Sequence, residues 1–321
     1  MRARSRALFS RAAREERVYT PRELAEYAAF RSAMAALRAL PLARAQGIGA
    51  AAARRIFDLG GKRVAYVLAN LRIAFPERSE AERREIGRES YVQFAWNLID
   101  VARSARWGPE DLISRVEIEG REHIDAACAK GHGAIGLTLH LGSFEMVMRF
   151  APAIGLPITV IGRPLANRLL RRDMHAQRTS TGAELLQHRN VAPQMLRALR
   201  NGRIVVALND QYKRRSQGVF VPFFGVRVST SPGPAMIALR AGSPILPAAF
   251  VRIGPDRHRM VVRPPLELPE SGDRRKDAEL LTARGNAALE AFVREHPEQW
   301  MWSHRRFRYS PDLPEDPYEG R

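Results

Sequence analysis

The segment Gly133-Ala134-Ile135-Gly136-Leu137-Thr138-Leu139-His140-Leu141-Gly142-Ser143-Phe144-Glu145 holds an apolar run between two glycines and ends it on a histidine, with a carboxylate five residues further on. A run of this length, bounded by residues that interrupt helices, predicts a buried strand. Gly142 frees the backbone for a sharp bend where a helix then begins. His140 is therefore expected at the carboxyl end of the strand and Glu145 in the first turn of the helix. A neutral imidazole titrates near working pH, so it can take a proton from an attacking hydroxyl and release it later. A nearby carboxylate holds the ring's tautomer and stabilises the imidazolium. A histidine merely satisfied at a strand end, with Glu145 complementing a helix N-terminus, has the same local sequence.

Outward from this segment the pattern alternates. Apolar runs at Pro157 to Ile161, Ile204 to Leu208, Ile245 to Arg252 and His258 to Val262 predict strands, with a further extended segment from Gly218 to Phe224. Periodic stretches at Glu145 to Ala153, Asn167 to Ser180, Ala192 to Asn201, Pro234 to Ala241 and Asp277 to Arg294 predict helices. Upstream, Thr20-Pro21-Arg22-Glu23 joins an N-cap, a first-turn proline and a capping-box glutamate, so a helix starts there and stops before Pro41. Its apolar residues Leu24, Tyr27, Phe30, Met34, Leu37 and Leu40 form one stripe, which either packs on the rest of the chain or dips into a membrane interface. A second helix is expected from about Ala81 to Arg106, after the break at Pro76. The alternation predicts an α/β fold, a largely parallel central sheet covered by helices on both faces, with an N-terminal helical extension. The organisation expected is a basic, helical, membrane-associating extension over residues 1–110, an α/β domain over 111–309 and a tail over 310–321. The acidic stretch after Tyr309 follows no period and reads as frayed.

Several further blocks follow in order: Asn70-Leu71-Arg72-Ile73-Ala74-Phe75-Pro76, Arg163-Pro164-Leu165-Ala166-Asn167, Arg178 with Gly182, Asp210-Gln211, Val221-Pro222-Phe223-Phe224-Gly225, and Pro297-Glu298-Gln299-Trp300-Met301-Trp302-Ser303-His304-Arg305-Arg306-Phe307. Together with the histidine segment they resemble the bacterial lipid A late (lauroyl/myristoyl-type) acyltransferases, within the lysophospholipid acyltransferase superfamily, over about residues 60 to 310. The resemblance implies an O-acyltransferase of lipid A and lipopolysaccharide biosynthesis. The acyl donor would be acyl carrier protein or acyl-coenzyme A, and the acceptor a hydroxyl of a membrane glycolipid or phospholipid. His140 and Glu145 would be catalytic in a single displacement, without an acyl-enzyme, a metal or a cofactor. Arg163 and Arg178 would bind an anionic head group or the carrier's phosphate, Asp210 would orient an arginine or the acceptor sugar unless it merely caps a helix or turn, and Asn167, Gly182 and Gln211 would join them in binding substrate. Phe223, Phe224 and Gly225 would line an acyl groove. Arg305, with Arg306, Arg308, Trp300 and Trp302, would form a basic aromatic patch at the membrane interface. Backbone amides near Gly142 and Ser143 are candidates for oxyanion binding. Ser143 as a nucleophile lacks the second glycine of a nucleophile elbow.

Among 321 residues, 52 are basic and 34 acidic, a formal +18, and residues 1–63 hold 14 Lys or Arg against 5 Asp or Glu. Such an excess fits an anionic bilayer surface, a phosphorylated lipid or nucleic acid, or a general arginine enrichment of solvated faces. No nucleic-acid-binding motif accompanies it, and no nucleic-acid partner is expected. Cys128 stands alone, which leaves no intrachain disulfide and no cysteine-rich zinc site. Between Pro41 and Phe57 the apolar residues are mostly alanine, interrupted by Arg44, Arg54 and Arg55, short of the roughly 20 apolar residues a span requires. The arginine-rich start has no apolar core of a signal peptide. Peripheral association with the cytoplasmic face of the bacterial inner membrane is expected. Competing readings are an acyl-thioester hydrolase and a non-enzymatic basic protein of membrane surfaces or nucleic acids.

Overall fold

Residues 19–162, 164–187 and 191–319 are described by a computed structural model, the side chain of Gln187 excepted. The chain enters through α1 (Pro21–Ala39), where the Thr20 hydroxyl accepts from Glu23 N and the Glu23 carboxylate accepts in return from Thr20 N. There follow α2 (Leu42–Asp58), α3 (Lys62–Ala74) and α4 (Glu80–Ser104), the last capped in the same reciprocal way by Ser79 and Glu82. The short α5 (Pro109–Ser114) leads into β1 (Val116–Glu119), α6 (Arg121–Ala129), β2 (Ala134–Thr138), α7 (Val147–Ala153), β3 (Ile158–Gly162), α8 (Arg168–Thr179), β4 (Glu184–Gln187), α9 (Ala192–Arg200) and β5 (Ile204–Leu208). A hairpin of β6 (Val219–Phe223) and β7 (Val226–Thr230) precedes α10 (Gly233–Ala241), β8 (Ile245–Arg252), β9 (His258–Val262) and α11 (Arg274–Glu295).

Seven strands form one sheet in the order β1-β9-β8-β2-β5-β3-β4. The five strands from β8 to β4 are parallel, and β9 turns back antiparallel on β8 with β1 parallel beside it. The parallel strands are apolar on both sides because helices cover both faces. Ile135 and Leu137 of β2 join Val205, Ala207 and residues of α3, α9, α10 and α11 in one core. Ala134, Val206, Ile158 and Val160 point the other way, into a core closed by α5, α6 and α7. The fold is thus the α/β sheet with a helical N-terminal region that the alternation predicts.

At the periphery one open alternative is decided and two expectations are corrected. The stripe of α1 is committed to packing: Met34 is buried, Tyr27 donates its hydroxyl to Asp173 of α8 at 2.6 Å, and only Leu24 stands well exposed. The basic aromatic patch is not a surface, since Trp300, Trp302 and Arg306 are among the most buried side chains of the described chain. Arg306 donates inward to Ser229 O, Thr230 Oγ1 and Asn286 Oδ1, and burial lowers its guanidinium to about 10.

Nor is the stretch after Tyr309 frayed. Tyr318 is buried, its hydroxyl accepts from Phe307 N at 2.9 Å and donates to Asn70 Oδ1, and Asp312 pairs with Arg227. Replacing Tyr318 by Phe leaves two buried polar groups without that partner, and should cost about 1–3 kcal/mol. A lowered midpoint in denaturant unfolding checks this, and an unchanged midpoint would contradict the docking of the tail.

Candidate active site

Parallel register brings the central pair together. Thr138 of β2 lies opposite Leu208 of β5, so the residues two further along each strand, His140 and Asp210, leave the sheet side by side at its carboxyl end. Open α/β sheets bind ligands at this end. Asp210 Oδ1 lies 2.8 Å from His140 Nδ1, while Oδ2 accepts from His140 N at 3.0 Å and from Trp300 Nε1 at 2.8 Å. Three donors on one buried carboxylate fix its orientation, and that in turn fixes the imidazole. With Nδ1–H donated to Asp210, Nε2 is left as the ring's acceptor.

Burial works against charge on the ring, but the Asp210 carboxylate and its hydrogen bond outweigh it, and Glu145 adds to them, so the His140 pKa lies above its ordinary value. Asp210 is itself buried, which alone would raise it, yet His140 and the Trp300 indole hold it well below the usual carboxylate range. His304 stands nearby, its ring 5.1 Å from that of Tyr212, and burial lowers it to about 4. Of the two imidazoles, His140 is the one whose affinity for a proton its neighbours raise.

The turn after β2 is held from three sides. Leu141 bridges Trp300, and Gly142 N donates to Gln299 O while Ser143 N donates to Phe250 O. Gly142 has φ +55°, and a Cβ there would lie 2.2 Å from Phe250 O, so only glycine fits. These two amides are therefore spoken for, which corrects their expected role as oxyanion donors. Ser143 is buried and donates to Asp100 and Asn97 of α4, in a cluster completed by Arg252 of β8, and so is not a nucleophile facing the site. A 3₁₀ turn, Phe144–Met146, precedes α7 and carries Glu145.

Glu145 does not hold His140. It takes a two-pronged grip from Arg178 at the end of α8, Nε to Oε2 at 3.0 Å and Nη2 to Oε1 at 2.6 Å. This corrects the expectation that Glu145 sets the ring's tautomer, a task that falls to Asp210. It also gives Arg178 a carboxylate partner in place of an unpaired guanidinium. His140 and the Glu145–Arg178 pair face one cavity of about 370 Å³, lined also by Thr138, Phe144, Asn209, Gln211, Tyr212 and Lys213 with apolar residues of β3, β5 and α7. Beneath Phe144 and Val147 a second, apolar space of about 60 Å³ continues between the sheet and α7.

The other expected site residues lie elsewhere. Asn167 caps α8, accepting from Leu169 N and Leu170 N and donating to Glu23 O and Glu26. Gly182, at φ +109°, makes the turn from α8 to β4. Phe223 and Phe224 pack with Phe75, Trp300 and Trp302 in the aromatic core and do not line the cavity, and Gly225 closes the β6–β7 turn. Arg305 lies over the Tyr66 ring, 5.7 Å from its centroid, away from the cavity lining. Arg163 lies outside the described residues. Trp300, Tyr212 and Lys213 were not anticipated at the site. Tyr212 and Lys213 directly follow the Asp210-Gln211 block, which is the signal that points to them.

An imidazole oriented by a buried carboxylate, at the sheet's carboxyl end and beside a second charged pair, defines a site for proton transfer within an α/β enzyme. Residues 13–309 match the family of bacterial lipid A biosynthesis acyltransferases. The chain is 31% identical over 261 residues to the lipid A biosynthesis lauroyltransferase of Escherichia coli K12, covering 78% of this chain and 81% of that one. It is 25% identical over 246 residues to the palmitoleoyltransferase of the same organism (75% and 78% covered) and 26% identical over 238 residues to its myristoyltransferase (73% and 72% covered). The chain belongs to the bacterial lipid A biosynthesis acyltransferase family, and it is an O-acyltransferase.

Proposed function

We propose that the protein transfers a fatty acyl chain from a thioester of acyl carrier protein or coenzyme A to a hydroxyl of a lipid A precursor, at the cytoplasmic face of the inner membrane. The observation that carries the mechanism is the His140–Asp210 pair opening onto the cavity. His140 Nε2 takes the proton of the acceptor hydroxyl as its oxygen attacks the thioester carbonyl. The tetrahedral centre collapses with loss of the thiolate, and the imidazolium returns a proton to the departing sulfur. Asp210 stabilises the imidazolium throughout. The acyl chain extends past Phe144 and Val147 into the apolar space beneath them. Arg178, whose third nitrogen, Nη1, is not used by Glu145, offers charge to the oxyanion or to an acceptor phosphate. His140, Arg178, Glu145, Asp210 and Gln211 are the site residues proposed. No helix among the described residues is long and apolar enough to cross a membrane, which fits peripheral residence.

Purified protein supplied with each acyl thioester and a lipid A precursor should yield a lipid heavier by one esterified acyl chain. Release of free fatty acid with no acylated lipid would make the protein a hydrolase and overturn the proposal. Arg178→Ala breaks a half-buried, two-pronged pair, where charge-assisted bonds are worth about 1.5–3 kcal/mol. Its catalytic efficiency should fall about ten- to hundredfold. Wild-type efficiency in that variant would return the Glu145–Arg178 pair to a purely structural role.

A further inference from the structure

The outer face of α2 exposes large apolar side chains between its arginines. Its inner face is buried through Ala45, Ala50, Ala53 and Phe57, but outward it presents Ile48 and Ile56, with Leu59 just beyond its end. α4 lies alongside: Ala50 and Ala53 share a small core with Val92, a Cβ on Gly49 would be 3.8 Å from Ala95 Cβ, and Arg54 pairs with Glu89. The outer side of α4 adds Phe94 and Leu98 to the same surface. These five side chains are 45–69% exposed and make up five of the eleven exposed large apolar side chains among the described residues. Single exposed apolar residues need no explanation, whereas a cluster of this kind marks an interaction surface.

The rim of this face is cationic. Arg44, Arg55 and Lys62 are exposed and have no ion-pair partner among the described residues, and Arg63 is exposed beside them. Asp58, the acidic residue on this stretch, is already taken by Arg88 and Arg84. Phe94 and Arg63 also line a groove of about 200 Å³ with Tyr91, Met301 and Trp302. Met301 N donates to His140 O at 3.0 Å, so the floor of the groove is joined to the catalytic turn.

We infer that the outer faces of α2 and α4 form the docking surface of this enzyme on an anionic phospholipid bilayer. Ile48, Ile56, Leu59, Phe94 and Leu98 enter the head-group boundary, and Arg44, Arg55, Lys62 and Arg63 meet lipid phosphates. Apolar burial and attraction to anionic lipid add in such interfacial helices. A second copy of the chain fits the face poorly, because a two-fold contact would set the unpaired cations against themselves. The inference rests on the reading that the acceptor is a membrane lipid, and it places the catalytic turn close to the membrane that holds that acceptor. It also moves the membrane contact from the stripe of α1, which is packed, to α2 and α4.

Co-sedimentation of the full chain with phosphatidylcholine vesicles, with and without phosphatidylglycerol, tests it. Wild-type protein should bind the anionic vesicles and be released by salt. Ile48→Ser combined with Ile56→Ser should weaken binding about tenfold or more, from the apolar area lost. Arg44→Ala combined with Arg55→Ala should weaken it about fivefold per residue at low salt. Met236→Ser, an equally exposed site on α10, should change nothing. All four proteins should keep their melting temperature and their turnover on detergent-dispersed acceptor, which reports on the acyltransferase reading separately. Wild-type vesicle binding by both double variants would overturn the inference. So would a dimer in sedimentation velocity that the Ile48, Ile56 variant dissociates while vesicle binding persists.

Discussion

Alanine in place of His140 is expected to lower the turnover of acyl transfer by about 10² to 10⁴, the usual contribution of a positioned general base. Three neighbouring titratable groups are not free to replace it. His304 is held neutral with an affinity for protons far below that of His140, Asp210 is locked by three donors, and Glu145 is gripped by Arg178. The substitution removes a half-buried ring beside Phe144 and leaves Asp210 with its backbone and indole donors, so the protein should remain folded. Steady-state kinetics on folded variant protein reads the effect. Turnover within a few-fold of wild type would remove His140 from the reaction.

Asp210→Asn should lower turnover on a similar scale, because an amide at this position no longer fixes the proton on Nδ1 or stabilises the imidazolium. It should also move the pH profile. The base works only when neutral, and the carboxylate raises the His140 pKa, so the acid limb of the wild-type rate should have its midpoint above pH 6.5. Removing the negative charge lowers the pKa, and the limb should shift to lower pH while the plateau falls. The same coupling stabilises the folded state below pH 6.5, and that contribution is lost as pH rises through the raised folded-state pKa. A lowered plateau with an unmoved limb would mean that Asp210 acts on the fold and not on the ring.

The sheet was legible where a strand is built on a buried apolar run. β5, β8 and β9 fall on the expected ranges and β2 stops two residues short of His140, because burial on both faces keeps the body of each strand apolar even where β8 ends on Arg252 and β9 begins with His258 and Arg259. β4 and β7 escaped for the opposite reason, being edge or hairpin strands of four and five residues with polar members. The site was legible as a set of blocks but not as a set of partners. Glu145 is five residues from His140 in the chain, yet the 3₁₀ turn carries it to Arg178. Asp210 is seventy residues away in the chain and reaches the ring through the β2–β5 register. Periodicity gives no information about which parallel strands are neighbours. The string from Trp300 to Arg308 misled because aromatic and arginine residues compose a wet interface and an aromatic core equally well. Three-dimensional closure decides the matter, and here it buries Trp300 against Asp210 and Arg306 against Phe223.

The direct, single-displacement role of His140 is tested most sharply by one turnover of the purified enzyme with an acyl thioester, with and without the hydroxyl lipid, followed by intact mass of both lipid and protein. The acyl group should appear only on the lipid, only when the acceptor is present, and at a rate that His140→Ala abolishes, while the protein keeps its mass. A protein heavier by one acyl chain, formed without acceptor and then passing that chain to the lipid, would contradict direct base catalysis by the His140–Asp210 pair.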